Sequence, residues 1–475
     1  MEWKQLLSGE RVRSQTHKNE KDYRSEFEKD YHRIIVSASF RRLQDKTQVF
    51  PLDKSDFIRT RLTHSMEVSS IGKSFGKSIY HSVKERYPQA EITERDAADM
   101  GDVLLSAGLI HDIGNPPFGH FGENVIQEWF QKNLSVDGIQ FRGKPVVSYL
   151  NPQMIADFTN FEGNAQALRV VTKLHSLVDA QGMNLTKAIL NTIIKYPVSS
   201  LEINKKSGDI KEKKMGYFYA EQKVFQSITE GTGAGKCRYP LAYILEAADD
   251  IAYRTADIED GFKKGRISFA KLSMALEMNT YREHAGELEY EFLGKAIQEF
   301  FERYQKGIER KYHDVERYAV QNWVIGVQRY LIEAATDSFT DHYSEIMAGT
   351  YKEDLFVGTK AQYLADFLGD IAYQQVFQSK EILKLEAASH QILTFLLERF
   401  VDAAIVYDTQ EPKNQIQLKL MELVSDTYKY IYHVYSEKKD EGEKLYLRLL
   451  LVTDFISGMT DHYAKTLYQE LNGIY

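Results

Sequence analysis

His111 and Asp112 close an apolar helical run, and His120 and Glu123 stand where the next helix begins. Between them lie Gly114, Asn115, Pro116 and Pro117, which cannot continue a helix and fix a bend. Two imidazoles and two carboxylates around a rigid bend suggest a division of labour. His111 and Asp112 are expected to hold a metal ion, and His120 and Glu123 to do proton chemistry beside it.

Two more ligands come from distant segments. His64 lies near the start of a helical pattern in which Val68, Ile71, Gly72, Phe75, Ile79 and Val83 recur at helical spacing. Arg61 is three residues earlier and can share its face. Asp249 and Asp250 sit inside the apolar stripe Leu241, Ile244, Leu245, Ala248, Ile251 and Ala252. Carboxylates are poor core residues unless a cation or hydrogen bonds satisfy them, so one of the pair is a candidate ligand. His64, His111, Asp112 and that aspartate make a mixed nitrogen and oxygen set. It suits first-row divalent metals such as Mn²⁺, and Mg²⁺ less obviously. A metal there lowers the pKa of a bound water and offsets phosphate charge.

The elements that must position these groups read as helices. Expected spans are a long one from near His64 to Tyr87, 96–112 with Asp96 as N-cap, 123–132, and others opening near Phe161 and Tyr239. Val146 to Tyr149 look strand-like, a turn-rich stretch surrounds Pro51, and 197–216 reads as a solvated, lysine-rich loop. Gly231 to Lys236 is not a Walker A loop, because Glu230 and Cys237 occupy the positions that need a glycine and a Ser or Thr. A chain of 475 residues exceeds one ordinary core. The expected division is a polar N-terminal arm over 1–30, a metal-dependent core over 31–265, and a helical region over 266–475 that completes the pocket and an oligomer interface. A net charge of -8 argues against nucleic-acid binding as the main task, though it leaves room for a secondary single-strand groove. The single cysteine, Cys237, excludes a disulfide framework and a cysteine zinc cluster. With no secretory signal and no apolar run near 20 residues, the expectation is a cytoplasmic protein without membrane contact.

The order of these motifs resembles the HD-domain phosphohydrolases, and more narrowly the deoxyguanosine triphosphate triphosphohydrolase (dGTPase) family. The bend from His111 to Glu123 carries the resemblance, with Phe40 to Gln44, Thr60 to Ser65, Phe161 to Asn164, Glu246 to Tyr253 and Asp454 to Asp461. The resemblance implies an all-α HD fold and hydrolysis of deoxynucleoside triphosphates, dGTP foremost, to deoxynucleoside and inorganic tripolyphosphate. It implies His64, His111, Asp112 and Asp249 as metal ligands, His120 and Glu123 as catalytic groups, and Arg61 on phosphate. Gln44, Tyr253 and Asp257 would surround the deoxyribose. It also implies a homo-oligomer, and in some members a nucleotide activator. Two rivals keep the site but change its use: an HD phosphohydrolase of a monophosphate, cyclic or alarmone nucleotide, and a non-catalytic nucleotide sensor.

Overall fold

The computed structural model describes all residues except 14–20, 51, 53–57, 176–179, 278–285 and 475. The expected turn at Pro51 lies outside them. The fold is all-α. Its one sheet among the described residues is a small antiparallel ladder, β1 (Gln140–Phe141) against β2 (Lys144–Pro145).

The elements that build the site are α1 (Glu26–Ile35), α2 (Arg61–Arg86), α3 (Glu94–Ile110), α4 (Gly119–Asn133), α5 (Gly163–Arg169), α6 (Pro240–Lys263), α7 (Lys380–Ile405), α8 (Glu441–Ser457) and α9 (Asp461–Leu471). Reciprocal side-chain bonds between Thr60 and Thr63 fix the start of α2. In α3 the cap is Thr93 rather than Asp96. Asp96 instead occupies the third helical position, and its carboxylate accepts the Thr93 amide at 2.8 Å.

Glycines set the register between α2 and α3. A Cβ on Gly76 would lie 2.7 Å from the Gly101 nitrogen, and one on Gly108 would lie 2.6 Å from the Ser69 Cα. Gly72 faces Leu104 more loosely, with 3.4 Å to the nearest Leu104 atoms from an added Cβ. The two backbones therefore touch and run in opposite directions, and continuing this register brings His64 beside His111. Gly108→Ala is expected to destabilise the fold by about 1–3 kcal/mol through overpacking. Urea unfolding measures this, and an unchanged midpoint would count against so tight a contact. Helix α6 packs against both α2 and α3 and brings Asp249 to the same place.

Several sequence expectations need correction. The described residues of 1–30 are not a solvated arm: Trp3 and Leu6 are buried, and buried Arg11 pairs with Asp30 at 2.5 Å. Too few apolar residues stand there for periodicity to reveal the packing. Val146–Tyr149 forms a 3₁₀ turn, with the Ser148 hydroxyl donating to the Pro145 carbonyl at 2.7 Å, a local bond that competes with strand pairing. The two apolar cores do not follow a division at 265. One joins Trp3 to Ile431, and the other runs from Phe118 to Leu467. Helix α7 packs on α4, so the C-terminal helices hold the helix that carries His120.

Candidate metal centre and active site

Three expected ligands meet where α2, α3 and α6 converge. The donor atoms of His64, His111 and Asp249 lie within 4.8 Å of one another. His64 Nε2 is 3.1 Å from Asp249 Oδ1, and His111 Nε2 is 3.3 Å from the same oxygen. His111 Nδ1 donates to the Gly108 carbonyl at 2.8 Å, which leaves the Nε2 lone pair facing the cluster. That Nε2 is buried and has no hydrogen-bond partner. An orphaned imidazole lone pair opposite a carboxylate is what a cation would satisfy, so these residues can hold a divalent metal. Asp250 points elsewhere. It lies 3.5 Å from Arg254, and burial pushes its carboxyl up to about 7.

Asp112 stands beside this group rather than within it. One oxygen is paired with Arg61, and the other accepts the Asn115 side-chain amide at 2.7 Å. That second oxygen is 3.5 Å from His111 Nε2. Burial works against the Asp112 charge, but His111 and Arg61 outweigh it and hold the carboxyl well below the ordinary range.

Across Arg61 lies the second pair. His120 Nδ1 is 2.9 Å from Glu123 Oε2. The other Glu123 oxygen accepts the backbone amide of Gly163, which opens α5, at 3.0 Å. Glu123 is buried, whereas the His120 side chain is 74 % exposed and open to a ligand. The charge and hydrogen bond of Glu123 raise the His120 pKa above its ordinary 6.5. Both residues line a cavity of about 250 Å³ with Glu162, Lys205, Lys213 and Lys214.

The sugar-side candidates are less closely gathered. Tyr253 and Asp257 lie one turn apart on α6. The Asp257 Oδ1 is buried without a partner, and burial next to Asp260 pushes its carboxyl up to about 8. Gln44 is exposed on the 3₁₀ turn Arg42–Asp45, with no hydrogen bond to either of them among the described residues.

Two lysines escaped the sequence reading. Lys195 Nζ is 2.7 Å from Asp249 Oδ2. It is the lone charge in the apolar run Ile193, Ile194, Tyr196, Pro197, Val198, the same signal that marked the Asp249–Asp250 pair. Lys214 is 2.8 Å from buried Glu162, so part of the 197–216 stretch is a pocket wall rather than a solvated loop.

The HD domain family matches residues 61–148, a span that contains Arg61, His64, His111, Asp112, His120 and Glu123. The fold and site thus define an HD-domain phosphohydrolase. Over their full lengths, the chain is 47 % identical to a deoxyguanosinetriphosphate triphosphohydrolase-like protein of Listeria monocytogenes and 34 % identical to one of Synechocystis. It is 31 % identical, over 99 % of each chain, to the deoxyguanosinetriphosphate triphosphohydrolase of Serratia proteamaculans. The chain belongs to this family of deoxyguanosinetriphosphate triphosphohydrolase-like HD proteins. Among its described residues no helix is long and apolar enough to cross a membrane.

Proposed function

We propose that the chain hydrolyses deoxynucleoside triphosphates, dGTP foremost, to the deoxynucleoside and inorganic tripolyphosphate, with a divalent metal of the first row or Mg²⁺ as cofactor. The observation that carries this reading is the His120–Glu123 pair. It is open to a lysine-lined cavity, and Arg61, whose charge reaches His120, pairs with Asp112 beside the His64, His111 and Asp249 group.

The reaction breaks the bond between the α-phosphorus and the 5′ oxygen. A water oxygen joins phosphorus and releases a proton, while the departing 5′ oxygen takes one. His120 is suited to supply it, because Glu123 keeps the imidazole protonated to higher pH than usual. Lys214 and Arg61 would lie along the phosphates and offset their charge. His64, His111, Asp249 and, through its oxygen nearest His111, Asp112 would hold the metal. A bound metal supplies an acidified water and further charge compensation. Tyr253 and Gln44 would crowd the sugar 2′ position, and Asp257 would meet a sugar hydroxyl.

Product analysis with each of the four dNTPs and four NTPs tests the reading. Tripolyphosphate and free deoxynucleoside, absent with His120→Ala, are expected. Pyrophosphate or phosphate would place the cut elsewhere, and binding without turnover would mark a sensor. Tyr253→Ala is expected to narrow the dNTP over NTP preference, measured as the ratio of kcat/KM values. An unchanged ratio would remove Tyr253 from sugar selection.

A further inference from the structure

The segment from Asp454 to Asp461, at the junction of α8 and α9, lines neither the metal group nor the cavity, yet it is bonded to the bend after His111 and to α5. The Asp461 carboxylate, itself buried, accepts two backbone amides from opposite sides. Phe118 donates to one oxygen at 3.0 Å and Thr47 to the other at 3.0 Å. Phe118 has φ +65 and is the residue from which α4 starts. A left-handed phenylalanine persists only where its surroundings hold it. Its amide is therefore a fixed point two residues before His120.

The other end of the bend is tied to the same junction. Buried Lys46 donates through Nζ to the Asn115 carbonyl at 2.6 Å and to the Ser457 carbonyl at 2.6 Å. Asn115 is the residue whose side chain orients Asp112. Asp454 completes the frame, because it accepts from Gln166 at 2.9 Å and from Arg169 at 2.7 Å, both on α5. The first amide of α5, at Gly163, holds Glu123.

We propose that Asp461 and Lys46 are positioning residues: they clamp the two ends of the Asp112–Phe118 bend to the α8–α9 junction and so fix the placement of the metal-side carboxylate relative to His120. This deepens the triphosphohydrolase reading and rests on it for its catalytic consequence. The clamp also gives the C-terminal helices a role in the chemistry that α2, α3 and α6 alone do not supply.

The test compares wild type with Asp461→Ala, Asp461→Asn and Lys46→Met by dGTP turnover, metal content and amide hydrogen exchange. For Asp461→Ala the expected result is a kcat roughly 10–100-fold lower, the scale of a misplacement of about 1 Å. KM and metal content should stay near wild type, and exchange should quicken over residues 115–124 alone. Asp461→Asn keeps one acceptor oxygen and should fall between, and Lys46→Met should show the same kcat-selective loss. Unchanged exchange at 115–124, or unchanged kcat with that exchange quickened, overturns the proposal. So does faster exchange throughout the chain with kcat and KM both altered, which would mark Asp461 as a general stability residue. If the wild type releases no tripolyphosphate, the reaction reading fails. The exchange measurement still decides whether Asp461 holds the bend.

Discussion

Replacing His120 by alanine is expected to lower kcat for dGTP by about 10²–10⁴-fold, the ordinary worth of a positioned acid, while leaving metal content unchanged. In the proposed cleavage the leaving group is an alkoxide, so a proton supplied at the 5′ oxygen would matter more than in cleavage at an anhydride oxygen. His120 does not touch His64, His111 or Asp249, whose mutual contacts are independent of it. The pH profile gives the sharper test. Glu123 raises the His120 pKa above 6.5, so the protonated acid persists through neutrality and activity should fall as pH rises through that raised value. Glu123→Gln removes the charge responsible, so the fall should begin at lower pH, with a smaller loss of kcat at acid pH than His120→Ala shows. A profile that instead rises with pH through the His120 titration would assign it the neutral, nucleophilic role. Metal analysis alongside keeps a loss of the metal from being read as a loss of the acid.

What the sequence made legible is local. Helical periodicity located the stripe of α6, and the unusual placing of Asp249 and Asp250 within it marked buried charge, while the choice of Asp249 came from the family resemblance. The rigid bend placed His111 and His120 on opposite sides of one turn. Partner choice was less legible, because it is settled by tertiary closure. Asp112 adjoins His111 in sequence, yet its oxygens are taken by Arg61 and Asn115. Lys214 sits among lysines that look solvated until Glu162, buried on a different segment, draws it inward. Trp3 and Leu6 are two apolar residues in a charged stretch, and only the packed core shows that they belong to it. Asp461 has no local signal for its task. Its two partners, Phe118 and Thr47, are more than 300 residues away.

Asp249→Ala is expected to abolish metal binding and to destabilise the fold by about 3–5 kcal/mol, the cost of leaving a buried charge without its partner. The charge left behind is Lys195, whose side chain is 10 % exposed and whose ammonium burial would otherwise push down. Among the described residues Asp249 is the one carboxylate that meets Lys195, His64 and His111 together. Burial opposes its ionisation, but Lys195 and His111 hold its carboxyl well below the ordinary 3.8. A folded-state pKa below the unfolded one contributes stability above 3.8, which is lost as pH falls through the folded value. The difference between wild type and Asp249→Ala should therefore be full at neutral pH and shrink under acid conditions. The readout is urea unfolding with and without Mn²⁺. Wild type should gain ~2.7 kcal/mol when free metal stands 100-fold above its Kd, and Asp249→Ala should gain nothing. Adding Lys195→Met to Asp249→Ala separates the two effects. It removes the stranded ammonium and should recover much of the lost stability without restoring the metal response. A double variant that stays as unstable as Asp249→Ala would show that the cost lies in the two imidazoles rather than in the lysine.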